Sequence, residues 1–326
     1  MMARRMIVAV LAFALPGCAV VRGQNSAETA GTAAAQVKDA SADDSTMTLK
    51  VNVKLVNVFT NVTDKDGAIV GGLTKDDFSV AEDGRPQHIA VFERQSELPL
   101  NLALAFDTSD SVRKDLPQEQ EAARKFVHAL MRAQDRMGVY EFATEVRQVV
   151  DFTNQVSRVD RGLANMRGGG ATALYDAVFL ASQGLTPRQG RKVLVVVSDG
   201  GDTANTMTYA QALEQALRGE VMVYSIIDVP IEASAGRELG GEHALITLAE
   251  QTGGKYFYVK EGGLDKAFER VSDDLRTQYL LGYYPAHQVP GVSFHRLRVT
   301  IPRTEAQAFQ IHYRTGYYAD SPAGEQ

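Results

Sequence analysis

The chain has 326 residues, of which 44% are hydrophobic and 23% are charged, and its formal net charge is -6 at pH 7. This composition is typical of a folded protein with one large or two modest domains. The net negative charge argues against a nucleic-acid-binding surface, which needs clustered Lys and Arg. Because Cys18 is the only cysteine, the chain excludes an intramolecular disulfide and any site built from several thiolates.

Residues 1–23 have the pattern of an export signal. A pair of arginines gives a positive start, and residues 6–15 are apolar but too short for a comfortable membrane span. The apolar run ends in Leu-Pro-Gly-Cys18, which resembles the lipobox of bacterial lipoproteins, where the cysteine becomes the lipidated first residue. The alternative is an ordinary signal that is cleaved after Ala19 or Gly23. Both interpretations predict an exported protein of the cell envelope, in the periplasm or on the outer surface.

Residues 24–46 are rich in Ala, Ser, Thr, Asp and Gly and contain almost no large apolar residue. Such a segment cannot form a packed core, so it is predicted to be a disordered linker. Placed after a lipid anchor on Cys18, the linker would hold the folded part of the protein away from the membrane surface.

Residues 47–97 are predicted to form a small β region. Apolar and polar residues alternate from Leu49 onward, which is typical of a half-buried strand, and the strand is predicted to continue to Val62. The remaining predicted elements are short and bounded by turn residues. They are a strand at 68–70, a helical turn capped by Thr74, and a hairpin in which strands 78–82 and 88–94 flank the Asp83-Gly84 turn.

Residues 98–278 alternate between apolar runs and amphipathic segments. This alternation predicts an α/β domain with a doubly wound, mostly parallel central sheet and helices on both faces. The predicted strands are 98–106, 137–143, 146–152, 192–197, 221–227 and 256–259, of which the second and third form a hairpin. The predicted helices are 117–133, 156–166, 173–183, 209–217, 244–252 and 264–276.

Three loops of this domain carry oxygen ligands. Residues 107–111 (Asp-Thr-Ser-Asp-Ser) and 198–202 (Ser-Asp-Gly-Gly-Asp) each follow a buried strand, and residues 168–173 place a threonine behind three glycines. Ligands of an open α/β sheet bind at the carboxyl ends of its strands, where such loops converge. Carboxylates and hydroxyls suit Mg²⁺, Mn²⁺ or Ca²⁺. The alternative is that these residues are ordinary helix caps and turns.

The sequences DTSDS and VVVSDGGDT, together with the threonine that follows the glycines, resemble the metal-ion-dependent adhesion site of von Willebrand factor A domains. The resemblance implies one divalent cation that keeps a position open for an Asp or Glu of a protein partner. Ser198 stands where the family often has Thr, and Asp202 is an additional carboxylate; neither departure removes a ligand. The ligands implied by the resemblance are Asp107, Ser109, Ser111, Thr172 and Asp199.

Residues 279–319 contain further alternating runs and an aromatic start, and residues 320–326 form a short tail. These strands cannot extend a parallel sheet without crossover helices, so they are predicted to pair with residues 47–97 in a small β-sandwich. The whole layout, including VNVFTNVTDKDG, LTKDDFSVAEDG and the LLGYYP and GYY motifs, resembles the bacterial von Willebrand factor A-related proteins described mainly from acidobacteria.

The expected function is binding of a protein partner through the metal ion, without catalysis. The six histidines are scattered, and neither a GxSxG elbow nor an HExxH helix is present, which argues against a hydrolase. The alternative is a structural or assembly scaffold of the envelope, in which the β-sandwich makes the contacts and the metal site is secondary.

Overall fold

The structure is a computed structural model that describes residues 54–94, 97–228, 239–259, 263–286, 294–302 and 309–319. The predicted signal segment, Cys18, the linker and the C-terminal tail all lie outside the described residues, as does the start of the first predicted strand.

Fourteen strands and six helices are found in the described part of the chain. The strands are β1 Val56–Thr63, β2 Ser79–Glu82, β3 Arg85–Gln87, β4 Ile89–Arg94, β5 Leu100–Asp107, β6 Arg136–Phe142, β7 Val146–Thr153, β8 Arg191–Ser198, β9 Val221–Ile227, β10 Tyr256–Tyr258, β11 Tyr279–Tyr283, β12 Phe294–Thr300, β13 Gln310–His312 and β14 Gly316–Tyr318. The helices are α1 Leu116–Leu130, α2 Val156–Ala164, α3 Leu174–Leu185, α4 Tyr209–Arg218, α5 Leu239–Thr252 and α6 Gly263–Thr277.

A six-stranded sheet in the order β10-β9-β8-β5-β6-β7 forms the centre of the fold. Its strands are parallel except for the antiparallel β6–β7 hairpin. Every residue of β5 and β9 is buried, because helices cover both faces of the sheet. Helices α1, α2 and α6 pack on one face, and α3, α4 and α5 pack on the other. The predicted doubly wound α/β fold is therefore confirmed.

Two smaller antiparallel sheets, in the orders β13-β1-β11-β4 and β14-β12-β2-β3, enclose a separate apolar core. Strands β11 and β13 pair with β1, and β12 pairs with β2. The prediction that N-terminal and C-terminal strands build a small β-sandwich is thus confirmed, while the exact domain boundaries remain predictions.

Two elements of the β-sandwich differ from the sequence prediction. The strand expected at 68–70 is reduced to an isolated bridge between Thr63 and Ile69. The Asp83-Gly84 turn connects β2 to β3 rather than to β4, which pairs with β11 in the other sheet. Thr74 does precede a short 3-10 helix as predicted, and its backbone N–H donates to the carboxylate of Asp77.

The face of β1 that points away from the sandwich core packs on the central domain. Phe59 contacts the core beneath α1 and α6, and Asn61 donates a 3.0 Å hydrogen bond to the hydroxyl of Tyr224 in β9. None of the helices in the described part of the chain has both the length and the apolar character that a membrane span requires.

Candidate metal site

Asp107 is the last residue of β5, and its carboxylate is held by two hydrogen bonds. Oδ1 accepts a 2.9 Å bond from the backbone N–H of Ser109, and Oδ2 accepts a 2.7 Å bond from the hydroxyl of Ser198 at the end of β8. The side chain is only 1% exposed because β5 is the buried strand between β6 and β8. The orientation of the Asp107 carboxylate, at the start of the loop after β5, is therefore fixed by the protein.

The two serines of the same loop lie side by side. Their hydroxyl oxygens are 3.0 Å apart; Ser109 is buried and Ser111 is exposed. Helix α1 begins only at Leu116, so residues 108–115 form a turn that presents both hydroxyls at the carboxyl edge of the sheet. The loop therefore carries one buried and one exposed serine side by side.

The glycine-rich loop brings Thr172 to the same edge. Gly169 and Gly170 have φ angles of 135° and 99°, a conformation that L residues with side chains rarely adopt. The backbone N–H of Gly169 donates to Thr108 O, and Gly170 O accepts from Asp110 N, so this loop is fastened to the loop after β5. Thr172 itself is buried.

Asp199 follows β8, and its Oδ1 accepts a 2.8 Å hydrogen bond from the backbone N–H of Gly201. A Cβ atom placed on Gly201 would lie 3.1 Å from that Oδ1 and 3.5 Å from Oγ1 of Thr172. The oxygens of Asp199 and Thr172 thus face the same small space. The structure brings all five sequence-predicted ligands to one edge of the sheet.

The site carries an excess of negative charge. Burial raises the pKa of Asp107, hydrogen bonds from Ser109 and Ser198 oppose that effect, and the nearby charge of Asp199 raises the pKa further. Glu119, on the buried face of α1, has its pKa raised to about 9 by burial and by the surrounding carboxylates. Those carboxylates are Asp228, Asp107, Asp115 and Asp199, in order of decreasing effect.

The donor set fits a divalent cation. Carboxylate and hydroxyl oxygens are the hard ligands that Mg²⁺, Mn²⁺ and Ca²⁺ prefer, and a cation would relieve the repulsion between Asp107 and Asp199. Oε2 of Glu119 is buried and makes no hydrogen bond to any described residue, which is unfavourable unless another group compensates for it. A cavity of about 640 Å³ beside Ser111 and Asp199 gives access to the site.

The sequence predicts five ligands, and the structure adds three residues that hydrogen-bond to them or lie close enough to influence their charge. In the sequence, Ser198 stands out only as a replacement for Thr, whereas in the structure its hydroxyl orients Asp107. Glu119 has a detectable signal, because it interrupts the apolar face of α1 between Leu116 and Ala123. Asp228 directly follows β9, as Asp199 follows β8, so the strand-end rule that found the other loops also applies to it.

A second group of ligand-type atoms lies in the β-sandwich, away from these loops. Single ligand atoms of Glu82, Asp83 and His295 lie within 4.8 Å of one another. These groups already have partners, because Nδ1 of His295 is 2.8 Å from Oδ2 of Asp83, and Oε2 of Glu82 accepts from the hydroxyls of Tyr283 and Tyr317. The cluster is therefore an internally satisfied network that joins β2 to β12.

The central sheet and its helices define an α/β domain of the doubly wound class. Residues 102–201, which run from β5 to the loop after β8, match the family model of the von Willebrand factor type A domain. The chain therefore contains a von Willebrand factor type A domain, with the β-sandwich as an addition to it. None of the curated proteins matches the sequence.

Solved structures that are similar to this chain cover about half of it. The conserved hypothetical protein BatB from Bacteroides thetaiotaomicron is 17% identical, with 54% of this chain and 97% of that chain covered and a TM-score of 0.45. An aerotolerance-related membrane protein from Bacteroides fragilis is 20% identical, with 54% and 98% covered and a TM-score of 0.44. The vWF domain of the type V pili tip protein Mfa5 from Porphyromonas gingivalis is 10% identical, with 54% and 94% covered and a TM-score of 0.45.

Proposed function

We propose that this protein is an exported binding protein that engages a protein partner through a divalent metal ion, without catalysis. The observation that carries the proposal is the convergence of two carboxylates and three hydroxyls from three loops at the carboxyl edge of the central sheet. The residues that would hold the metal are Asp107, Ser109, Ser111, Thr172 and Asp199.

The chemistry of the proposal follows from the small number of charged ligands. A bound Mg²⁺ or Mn²⁺ would supply an electrophilic centre that accepts a carboxylate oxygen of a partner. On the protein side, Ser198 and the backbone of Ser109 fix the orientation of Asp107. The exposed Ser111 hydroxyl and the adjacent cavity leave space for an incoming side chain. Binding of the partner should therefore require the metal and be lost on chelation.

Calorimetry of Mg²⁺ and Mn²⁺ binding tests the site. Asp107→Asn, Ser109→Ala and Ser111→Ala should each weaken metal binding by at least about tenfold, since the first removes a negative charge and the other two each remove an oxygen ligand. Asp110→Ala is the matched control, because Asp110 is an exposed carboxylate in the same loop but is not one of the proposed ligands. Circular dichroism would establish that the variants fold. Equal metal affinity in wild type and Asp107→Asn would refute the site.

Affinity capture from an envelope extract tests the partner. Capture should occur with Mg²⁺, be lost in a chelator, and be lost with the Asp107→Asn variant, whereas Asp110→Ala should behave as wild type. Capture that is unaffected by the metal or by Asp107→Asn would favour the alternative function, a scaffold whose β-sandwich makes the contacts.

The same proposal includes a membrane anchor on Cys18, which rests on the lipobox-like sequence alone. Cys18→Ser should move the protein from the membrane fraction to the soluble fraction of the envelope and remove labelling by a fatty-acid probe. Unchanged fractionation without lipid labelling of the wild type would favour the ordinary cleaved signal.

A further inference from the structure

A polar cavity lies on the opposite side of the central domain from the proposed metal site. It has a volume of about 380 Å³ and lies between β1 and the amino ends of β8 and β9. The metal-site loops follow the carboxyl ends of β5 and β8, so the cavity and the metal site are at opposite edges of the same sheet. The cavity also borders the β-sandwich, because residues of β1 and Arg314 contribute to its wall.

The wall of this cavity is strongly cationic. Among the described residues that line the cavity, Glu220 is the only one with a carboxylate. Five cationic side chains also line the cavity. Arg191 and Arg314 are 8% and 7% exposed, so both are more than nine-tenths buried. The five cationic residues are Lys54, Arg188, Arg191, Lys192 and Arg314.

Some of this charge has a structural role. Nζ of Lys192 donates to the backbone carbonyls of Thr186 and Gly219, just beyond the ends of α3 and α4. Nη1 of Arg191 donates to the carbonyl of Leu275 near the end of α6. Cations at helix C-termini are favourable because they satisfy free carbonyls and complement the helix dipole. Helix capping therefore accounts for part of the charge but not for that of Arg314, whose guanidinium lies 5.4 Å from the centre of the Tyr317 ring.

Arg314 has unused donors inside the protein. Its Nη2 donates to the carbonyl of Asn57, but Nε and Nη1 are buried and make no hydrogen bond to any described residue. Nε of Arg191 is likewise buried and makes no hydrogen bond to any described residue. The nearest acid, Glu220, has Oε2 at 3.8 Å from Nη1 of Arg314, which is too long for a hydrogen bond. Buried guanidinium donors without acceptors are costly, so an additional acceptor is expected here.

Mutual repulsion of the cations also indicates that an anion would be favourable in the cavity. Burial lowers the pKa of Lys192, the charge of Glu220 opposes this, and the charges of Lys54 and Arg314 lower the pKa further. Glu220 is already shared, since its other oxygen lies 3.7 Å from Nζ of Lys54. A small anion in the cavity would offset this excess of positive charge and accept the free N–H groups.

We propose that the cavity between β1 and the amino ends of β8 and β9 binds a small oxyanion of the phosphate class through Arg314, assisted by Lys192 and Lys54. Guanidinium groups suit phosphate because several N–H donors meet several oxygens at once. The anion would bridge the β-sandwich and the central domain, since Arg314 belongs to the segment before β14 and Lys192 to β8.

Calorimetry with inorganic phosphate, at constant ionic strength in a metal-free chloride buffer, tests the proposal. Wild type should bind phosphate, and Arg314→Gln should reduce the affinity at least about tenfold because two buried donors are lost. Arg124→Gln is a matched control that removes an exposed arginine from α1, outside the cavity. Asp107→Asn should also bind phosphate as wild type does, which separates this site from the metal site.

Lys54→Gln provides a second variant that should leave the fold intact, because the side chain of Lys54 is 80% exposed. It should weaken phosphate binding about two- to fivefold through the loss of one charge at the cavity. Titration with glycerol phosphate distinguishes the sources, since tighter binding than phosphate indicates a phosphate ester and weaker binding the free ion. An absence of phosphate binding in wild type, or equal affinity in wild type, Arg314→Gln and Lys54→Gln, would overturn the proposal and leave a water-filled cavity.

Discussion

The hydroxyl of Ser198 donates a 2.7 Å hydrogen bond to Oδ2 of Asp107, which joins the carboxyl ends of two adjacent parallel strands. The other carboxylate oxygen is held by the backbone of Ser109. Both oxygens of Asp107 are thus oriented by the protein itself. Residues that orient a metal ligand in this way commonly affect metal affinity nearly as much as the ligands do.

Ser198→Ala should therefore weaken Mg²⁺ binding about tenfold, although Ser198 is not a proposed ligand. The physical reason is that Asp107 loses the donor that fixes Oδ2 and is then oriented only through Oδ1, by the backbone N–H of Ser109. Ser198→Thr is the control, since it keeps the hydroxyl at this position and should retain Mg²⁺ affinity within about twofold. Calorimetry of the three proteins checks the prediction, and equal affinity in Ser198→Ala and wild type would contradict it.

The buried carboxyl of Glu119 should make the metal-free protein less stable as the pH rises. Its pKa is raised to about 9 in the folded state, from 4.5, by burial and by Asp228, Asp107, Asp115 and Asp199. The stability contribution of Glu119 is thus complete below pH 4.5 and is lost as the pH rises toward about 9. Glu119→Gln removes this titration, so its advantage over wild type should grow by up to about 1.4 kcal/mol per pH unit.

Urea denaturation at several pH values between 5 and 8, in the presence of a chelator, measures this advantage. Glu121→Gln is the control on the same helix, because Glu121 is exposed and pairs only with Arg124 among the described residues. A constant difference between wild type and Glu119→Gln across the pH range would show that Glu119 does not titrate in this way.

Replacing each of two adjacent glycines of α5 by alanine should have opposite effects on the stability of the protein. A Cβ atom on Gly241 would lie 1.8 Å from the carbonyl oxygen of Gly200, whereas a Cβ atom on Gly240 meets nothing within 4 Å. Gly241→Ala should therefore push the loop after β8 away, lower stability by about 2 kcal/mol and weaken Mg²⁺ binding through Asp199. Gly240→Ala should raise stability by about 0.5–1 kcal/mol, because alanine favours the helix.

Thermal unfolding and Mg²⁺ calorimetry of both variants check this contrast. If Gly241→Ala retained full stability and metal affinity, the close approach between α5 and the Asp199 loop would not constrain the site.

Much of the central domain could be predicted from the sequence because its elements have strong periodicity. Strands β5, β8 and β9 are mostly apolar, and each is followed by a polar loop and an amphipathic segment. The ligand-bearing loops could be predicted because parallel strands present their carboxyl ends at one edge of the sheet. The local sequence was sufficient wherever a single strong pattern decided the structure.

The sequence predictions were wrong or incomplete where tertiary contacts determine the local structure. Residues Arg85–Gln87 resemble a polar turn, yet they form edge strand β3, where Pro86 is tolerated because an edge strand has unpaired backbone groups. The bond between Ser198 and Asp107 joins residues 91 positions apart, and no local pattern reports it. The position of Glu119 beneath the acidic loops likewise depends on how α1 packs on the sheet.

The hydroxyl of Tyr283 should contribute measurably to the stability of the β-sandwich. It donates to Oε2 of Glu82, a buried carboxylate that also accepts a 2.9 Å hydrogen bond from the hydroxyl of Tyr317. Tyr283→Phe leaves Glu82 with one tyrosine donor fewer and should cost about 1–3 kcal/mol of unfolding free energy. The adjacent Tyr284 is 53% exposed, so Tyr284→Phe should change stability by less than about 0.5 kcal/mol. Urea denaturation followed by circular dichroism measures both effects, and equal stability of the two variants would contradict a stabilising role for the Tyr283 hydroxyl.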